Sequence, residues 1–109
     1  MDAHYHVLLV TDSENGMVIQ LPLTKCAGKD LHQRMTEDFQ HVIRHASRPV
    51  TLDLSQVKFI DAWFFTRLIE LRKGLTEKSI GLTVHLSPGV ADVAKTTKLD
   101  RIFDIVIAD

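Results

Sequence analysis

The stretch from Thr51 to Phe64 constrains the fold of this 109-residue chain more than any other. The segment Val50 to Leu54 has the composition of a buried strand, and a short link leads from it to Asp61. Asp is a favoured N-cap residue, and a helix is predicted from Asp61 to Glu77. Its apolar stripe consists of Phe64, Leu68, Leu71 and Leu75, with Phe65 and Ile69 beside it. A strand that leads into a helix is half of a crossover unit, which joins parallel strands.

Further strands and helices are predicted on both sides of this unit. Two apolar segments, His4 to Val10 and Met17 to Leu23, flank an Asn-Gly turn signal and therefore predict a β-hairpin. Apolar residues at helical spacing predict a helix from Asp30 to Ala46, with Asp30 and Gln33 in a capping arrangement. Pro22 lacks an N–H, so we expect the end of the second strand to lie at an edge or to leave the sheet.

The C-terminal third of the chain continues the alternation. Ile80 to Leu86 is predicted to be a strand, and Ser87-Pro88 to be the N-cap and first residue of a helix. Leu99 to Phe103 would add a further turn and Ile105 to Ile107 a closing strand. The inner face of this third helix would carry Val90, Val93, Ala94 and Thr97. The order β-β-α-β-α-β-α, ending in a short helix or strand, predicts one α/β domain over residues 1–109, with a small mixed sheet and helices mainly on one face.

Composition narrows the classes of function. With 13 basic and 14 acidic residues the net charge is -1, so neither a nucleic-acid surface nor an anionic-membrane surface is expected. No apolar run approaches the roughly 20 residues that span a bilayer, so direct membrane insertion is not expected. The N-terminus lacks the features of a secretory signal, and Cys26 is the only cysteine, which points to the reducing cytoplasm.

No constellation typical of catalysis or metal binding stands out. The sequence has no Gly-rich phosphate loop and no serine elbow, so we expect neither an enzyme nor a bound cofactor. Two histidine pairs have metal-compatible spacing, namely His4 with His6 and His41 with His45, and His85 has no obvious mate. Because no cysteine or carboxylate cluster joins them, no metal site is predicted.

Three segments, in this order and spacing, resemble the STAS domain family, which includes the anti-sigma factor antagonists. Thr51 to Phe64 is similar to the family's strand ending in Asp-Leu, followed by Asp-Ser-(Ser/Thr/Gly)-Gly at a helix start. Leu82 to Val90 matches its late strand and Ser-Pro helix start, and Thr97 to Phe103 its Gly-Leu-Asp-Arg-(Leu/Ile)-Phe ending. The resemblance implies a STAS-like fold and a regulatory role in bacterial signal transduction.

The chain departs from the family where regulation occurs. Ala62 stands in place of the phosphorylatable serine, and Trp63 and Phe64 replace two small residues. In partner-switching relatives the unmodified domain binds an anti-sigma factor or a GHKL-type serine kinase, and phosphorylation blocks binding by adding about −1.5 to −2 charges. The resemblance therefore implies a regulator of transcription without the usual switch. Thr66, one helical turn after Ala62, is a candidate substitute phosphosite.

The helix entrance is the predicted contact surface. Trp63 lies off the apolar stripe, which makes it a candidate anchor for a protein partner. The expected partner-binding residues are Asp61, Ala62, Trp63, Thr66 and Arg67, with Thr24 and Lys25 from a neighbouring loop. Two alternatives stay open, since STAS domains also serve as accessory subunits of lipid-transport ABC transporters, and Trp63 could instead join two copies of this chain in a homodimer.

Overall fold

The computed structural model describes residues 7–22, 25–26, 28–96, 98 and 104–107. Seven strands and three helices follow one another in these ranges. They are β1 (Leu9–Ser13), β2 (Gly16–Gln20), β3 (Lys25–Cys26), α1 (Lys29–His45), β4 (Val50–Leu54), β5 (Phe59–Ile60), α2 (Ala62–Glu77), β6 (Leu82–Leu86), α3 (Pro88–Thr96) and β7 (Asp104–Ile107). The predicted helices and main strands are present, and the expected closing strand is β7.

Five strands form one mixed sheet in the order β1-β2-β4-β6-β7. Strands β1 and β2 are antiparallel, and the four strands β2, β4, β6 and β7 are parallel to one another. The short strands β3 and β5 form a separate parallel pair, which sequence reasoning missed because two-residue strands leave no periodicity. The predicted α/β architecture with a mixed sheet is confirmed.

The helices cover one face of the sheet. Strands β4 and β6 alternate strictly between buried and half-buried residues, as expected for strands with one covered face. Their buried side chains join the α2 stripe of Phe64, Leu68, Leu71 and Leu75 in one hydrophobic core. The other face carries polar side chains in register, with Gln20, Asp53 and His85 on adjacent strands. The expected one-sided packing is confirmed.

The predicted hairpin is present, and the structure fixes its register, which the sequence prediction left open. Ser13 pairs with Gly16, so the tight turn consists of Glu14 and Asn15, and Gly16 already belongs to β2. Strand β2 lies between β1 and β4, so it is not an edge strand. Strand β2 ends at Gln20, before Pro22, so the chain leaves the sheet ahead of the proline. This is one of the two arrangements that the sequence predicted.

Of the predicted helix starts, the capping arrangement of α1 is wrong and the start of α3 is confirmed. Helix α1 begins one residue earlier than expected, and its N-cap is Gly28, which offers no side chain for the capping arrangement assigned to Asp30 and Gln33. Ser87 is the N-cap residue of α3 and Pro88 its first residue, as predicted, because the Ser87 carbonyl accepts the Ala91 N–H at 2.9 Å. The buried Ser87 hydroxyl donates a 2.6 Å hydrogen bond to the Val57 carbonyl.

The inner face of α3 also differs from its prediction. Val90 and Ala94 are buried as expected, but Ala91 is buried in place of Val93, which is 43% exposed. The buried positions of this short helix are Val90, Ala91 and Ala94, and spacing alone does not distinguish this set from the predicted one. Thr97 and the turn predicted for Leu99 to Phe103 lie outside the described residues.

Helices α1 and α2 pack closely along their length. A Cβ atom on Gly74 of α2 would lie 2.5 Å from Cδ1 of Ile43 in α1, so the two helices approach where a side chain is missing. At the C-terminal end of α2, Lys78 Nζ donates to the carbonyls of Ile43 and Ala46 at 2.7 and 2.8 Å. This ammonium satisfies carbonyls that the end of α1 leaves unpaired. Within the described ranges, no helix combines the length and apolarity that crossing a membrane requires.

We expect Gly16→Ala to lower the free energy of unfolding by about 2 kcal/mol or more. Gly16 has φ +143°, and an added Cβ would lie 2.7 Å from the Pro49 carbonyl oxygen. That oxygen cannot retreat easily, because it accepts the Met17 N–H at 2.9 Å. Urea unfolding measures the change. The matched control is Gly89→Ala, since Gly89 lies in α3 with open space around it and should gain up to about 1 kcal/mol. Equal losses for both variants would contradict this account.

Candidate functional site

Asp61 begins the site by capping α2. Its backbone is extended (φ −96°, ψ 174°), and its Oδ1 accepts the Phe64 N–H at 3.1 Å, as the sequence predicted for an N-cap. The Phe64 side chain is buried in the core, so the first turn of α2 is held from inside by packing and from its end by Asp61. The residues between them, Ala62 and Trp63, therefore have fixed positions at the surface.

His32 of α1 holds the same carboxylate from the other side. Its Nε2 lies 2.9 Å from the Asp61 carboxylate, so this nitrogen carries the proton that the hydrogen bond needs. The histidine is mostly buried, with 13% of its side chain exposed, and Nδ1 has no hydrogen-bond partner among the described residues. One carboxylate thus connects the starts of α1 and α2.

These contacts set the acidity of Asp61. Burial raises the pKa of this carboxyl, but the hydrogen bonds from His32 and from the Phe64 backbone outweigh it, together with the nearby imidazole charge. A backbone contact from Gly28 acts in the same direction. The net result is a pKa below the ordinary value of 3.8, so Asp61 is ionised at neutral pH.

Trp63 lines a surface depression beside this hydrogen-bonded pair. The indole is 64% exposed, more than any other large apolar side chain in the described ranges. The depression is lined by Gly28, Lys29, His32, Asp61 and Trp63. The site therefore combines an exposed aromatic side chain, a lysine and a carboxylate that is already paired.

The other predicted residues of α2 lie on the same side of the helix entrance. Ala62 and Thr66 are exposed, and the Thr66 hydroxyl points back to the Ala62 carbonyl at 3.5 Å. Arg67 is half-buried, donates to Glu70 at 2.7 Å, and has an Nε atom without a partner in the described part of the chain. The structure thus brings together all the α2 residues that the sequence singled out.

The neighbouring loop is only partly described. Lys25 lies in β3, and its backbone pairs with Phe59 of β5, two residues before Asp61. This pairing places the Lys25 backbone beside the helix entrance, where the sequence expected it. Thr24 lies outside the described residues.

Sequence reasoning missed Lys29, His32 and Phe59 as members of this surface. Phe59 is 53% exposed just before the α2 entrance. His32 and Asp61 are 29 residues apart in sequence, and no spacing rule connects them. The sequence did show that His32 lies in the first turn of the helix that precedes the strand-turn-helix unit. This arrangement is too common to identify His32 as a site residue.

The histidines show no metal centre in the described ranges. No group of three or more metal-ligating side chains is found there. His41 and His45 stack with ring centroids 6.0 Å apart, and His85 lies on the open sheet face beside Asp53. His4 and His6 lie outside the described residues.

Solved structures share this architecture. An anti-sigma-factor antagonist (STAS) domain protein from Planctomyces limnophilus matches with a TM-score of 0.79 and 20% identity, covering 98% of this chain and 93% of that one. This chain has the STAS fold. A protein described as an anti-sigma factor antagonist from Thermotoga maritima matches with a TM-score of 0.75 and 18% identity, covering 94% and 86%. No protein-family model and no curated protein matches the sequence.

The STAS fold confirms the resemblance on which the sequence prediction depended. At these identities the likeness establishes the arrangement of strands and helices, and function has to be argued from the site. On the STAS fold of this chain, the α2 entrance combines the capping Asp61, which is hydrogen-bonded to His32, with the small Ala62 and the exposed Trp63.

The Asp61→Asn substitution should lower the free energy of unfolding at neutral pH and should have no effect on it in strong acid. Folding lowers the pKa of Asp61 below its ordinary value of 3.8. The contribution of the ionised carboxylate to the free energy of unfolding is therefore fully present above pH 3.8, and it disappears as the pH falls through the lower folded-state pKa. An asparagine still caps the helix but carries no charge for His32. Urea unfolding of both proteins from about pH 7 to about pH 2 should show the two free energies converging in acid.

The matched control for this effect carries His32→Gln in both proteins. Removing the imidazole takes away one cause of the depressed pKa, so the pH-dependent difference between the protein that keeps Asp61 and the Asp61→Asn variant should shrink. A difference that stays the same from neutral pH to strong acid would show that Asp61 acts only as a neutral cap.

Proposed function

We propose that this STAS domain is a non-enzymatic regulatory protein of the bacterial cytoplasm. It binds an anti-sigma factor or a GHKL-type serine kinase in a partner-switching pathway that controls transcription. The observation that carries the proposal is Trp63, an indole left 64% exposed beside a rigidly held helix entrance. Both structural neighbours are described as anti-sigma factor antagonists, which supports the same class of partner.

The proposed mechanism is stoichiometric sequestration. The domain occupies its partner and so releases whatever that partner holds, without chemistry of its own. Aromatic and arginine side chains supply much of the energy of protein interfaces, and Trp63 and Arg67 are adjacent examples on α2. The proposed contact set is Asp61, Ala62, Trp63, Thr66 and Arg67, with Thr24 and Lys25 beside them.

Ala62 gives this surface a constant charge under the proposal. Without a hydroxyl it cannot accept a phosphate, so the domain would remain in its binding-competent form. Thr66 is the candidate substitute phosphosite, because its exposed hydroxyl lies one turn further along the same side of α2. A phosphate there would bring negative charge close to Asp61 and Glu70.

Ala62 also favours a second candidate function. A cytoplasmic accessory subunit of a lipid-transport ABC transporter needs a stable contact surface and no phosphoserine. The same face around Trp63 would then bind a transporter subunit permanently. The chemistry of the site is compatible with both, and the identity of the captured partner separates them.

Affinity capture from the native source distinguishes these functions. Wild type and Trp63→Ala serve as paired baits, and detergent-solubilised membranes are included. A GHKL kinase or anti-sigma factor recovered only with wild type would support partner switching, and ABC transporter subunits would support the accessory role. Comparing the sizing-column masses of the two proteins tests a homodimer through Trp63, since a dimer should become a monomer in the variant.

Trp63→Ala should weaken partner binding by at least about tenfold, or about 1.4 kcal/mol, and leave the free energy of unfolding almost unchanged. The indole contributes little to the core because it is exposed, but a partner would bury it. Titration calorimetry with the captured partner measures the affinity. Ile69→Ala is the matched control, an exposed apolar residue of the same helix on a different side, and should bind like wild type. Unchanged binding by Trp63→Ala would remove this residue from the interface.

Ala62→Asp should imitate the missing phosphate and weaken binding by at least about tenfold, while Ala62→Ser stays close to wild type. An acidic residue in the first turn of α2 suits the helix dipole, so folding should be preserved. The same calorimetric titration and a urea unfolding curve provide both readouts. Full affinity in a folded Ala62→Asp protein would show that charge at this position does not control the contact.

A further inference from the structure

Strand β1 forms an edge of the five-stranded sheet. In the described part of the chain it pairs only with β2, in a regular antiparallel register that runs from Leu9 opposite Gln20 to Ser13 opposite Gly16. In an antiparallel pair, alternate residues direct both their N–H and their C=O groups to the same neighbouring strand. The register of the hairpin therefore determines which residues of β1 direct their backbone groups outward.

The backbone groups of Val10 and Asp12 point away from β2. The N–H groups of Met17 and Leu21 donate to carbonyls on the β4 side, at 2.9 and 3.2 Å, so Met17 and every second residue after it face β4. Met17 is the register partner of Asp12, and Ile19 that of Val10, so neither of these pairs exchanges hydrogen bonds. Among the described residues, none bonds to the outward backbone groups of Val10 and Asp12.

The edge also lacks the features by which edge strands usually avoid pairing. Strand β1 contains no lysine, no proline and no bulge. Its one charged residue, Asp12, lies 3.1 Å from Nη1 of Arg48. Leu9 is 56% exposed, and Thr11 and Ser13 are exposed on the same face of the sheet. The edge can therefore accept a further strand without burying an unpaired charge.

We propose that β1 pairs with β1 of a second copy of this chain, so that two five-stranded sheets join into one continuous sheet. The inference goes beyond the proposed function, because it concerns a different surface. A symmetric antiparallel pair has its two-fold axis at one residue. An axis at Thr11 places Val10 of each copy opposite Asp12 of the other, and each such pair can exchange two hydrogen bonds.

This register also suits the side chains. Thr11 meets its own copy at the axis in a non-hydrogen-bonded pair, where threonine side chains pack well against each other. Each Asp12 lies opposite an apolar Val10, whereas an axis at Asp12 would bring the two carboxylates together. Leu9 lies opposite Ser13 of the other copy, so part of its exposed surface would be covered.

The size of the contact determines its strength. Two five-residue strands bury less than the roughly 1,200 Å² of a standard interface, so we expect a weak dimer with a Kd on the order of 100 μM. The axis is perpendicular to the sheet, so the helices of both copies cover the same face. It also reverses the strand direction, so the two Trp63 surfaces point in opposite directions. The dimer would therefore present two partner-binding surfaces at once.

Charged residues at position 11 test the pairing. Thr11→Lys places two ammonium groups at the axis and should weaken dimerisation by at least about tenfold in sedimentation equilibrium, and Thr11→Glu should do the same. An equimolar mixture of these variants should dimerise at least as well as wild type, because each lysine then faces a glutamate. Val106→Lys is the matched control, an exposed residue of β7 at the opposite edge, and should dimerise like wild type. Urea unfolding verifies that each variant folds.

Cysteine cross-linking tests the register. In a Cys26→Ser background, Thr11→Cys should form a covalent dimer on oxidation with diamide, since the Cα atoms of a non-hydrogen-bonded pair lie about 4.5 Å apart. Leu9→Cys should not, because the two copies of residue 9 would be separated by about 13 Å along the strand direction. A mixture of Leu9→Cys and Ser13→Cys should cross-link, since these residues face each other.

Several outcomes would overturn the proposal. One is a wild-type chain that stays monomeric up to about 1 mM. Another is a dimer that Thr11→Lys leaves intact, and its loss in Val106→Lys or in Trp63→Ala would place the contact at β7 or at the α2 entrance instead. Failure of the β1 pairing leaves the proposed function standing, because Trp63-dependent capture of a kinase or an anti-sigma factor does not require a dimer.

Discussion

The Asp61 carboxylate is the interaction on which the geometry of this surface depends. It accepts a backbone N–H of α2 and a hydrogen bond from His32 of α1, so one side chain fixes both where α2 begins and how it meets α1. Trp63 belongs to the first turn of α2 and follows from that arrangement. A partner would therefore meet a surface that is already organised, and ordering it on binding would cost little.

The one-sided sheet explains why this surface is at one end of the molecule. Two parallel strands of the sheet lead into helices, so α2 and α3 begin near the carboxyl ends of β4 and β6. Ligands of α/β sheets commonly bind at this edge, where helix starts and connecting loops meet. The short β3–β5 pair places the start of α1 at the same edge. The open face of the sheet, lined by Gln20, Asp53 and His85, stays separate from it.

Ala62 changes what kind of control the proposed function allows. A serine at this place would make the charge of the surface variable, whereas alanine makes it constant. Under the proposal, control passes to Thr66, to the supply of the partner, or to the amount of this protein.

Local patterns were sufficient to predict much of this protein. Apolar periodicity predicted the helices and main strands, the residue type of Asp61 predicted the N-cap of α2, and the position of Trp63 off the apolar stripe predicted its exposure. Each of these depends on residues within a few positions of one another. The details that failed are also local but finely balanced, such as the cap of α1 at Gly28 and the burial of Ala91 in place of Val93 in α3.

Tertiary structure alone decided the contacts between distant segments. The pairing of His32 with Asp61, the bond from Ser87 to Val57, and the Lys78 ammonium at the end of α1 each join residues about 30 positions apart. The sequence predicted α2 and its entrance because helix formation depends on short-range spacing. Packing alone brings Lys29 and His32 of α1 to the site beside Trp63. The residues next to each of them in sequence do not indicate which distant side chains the fold brings together.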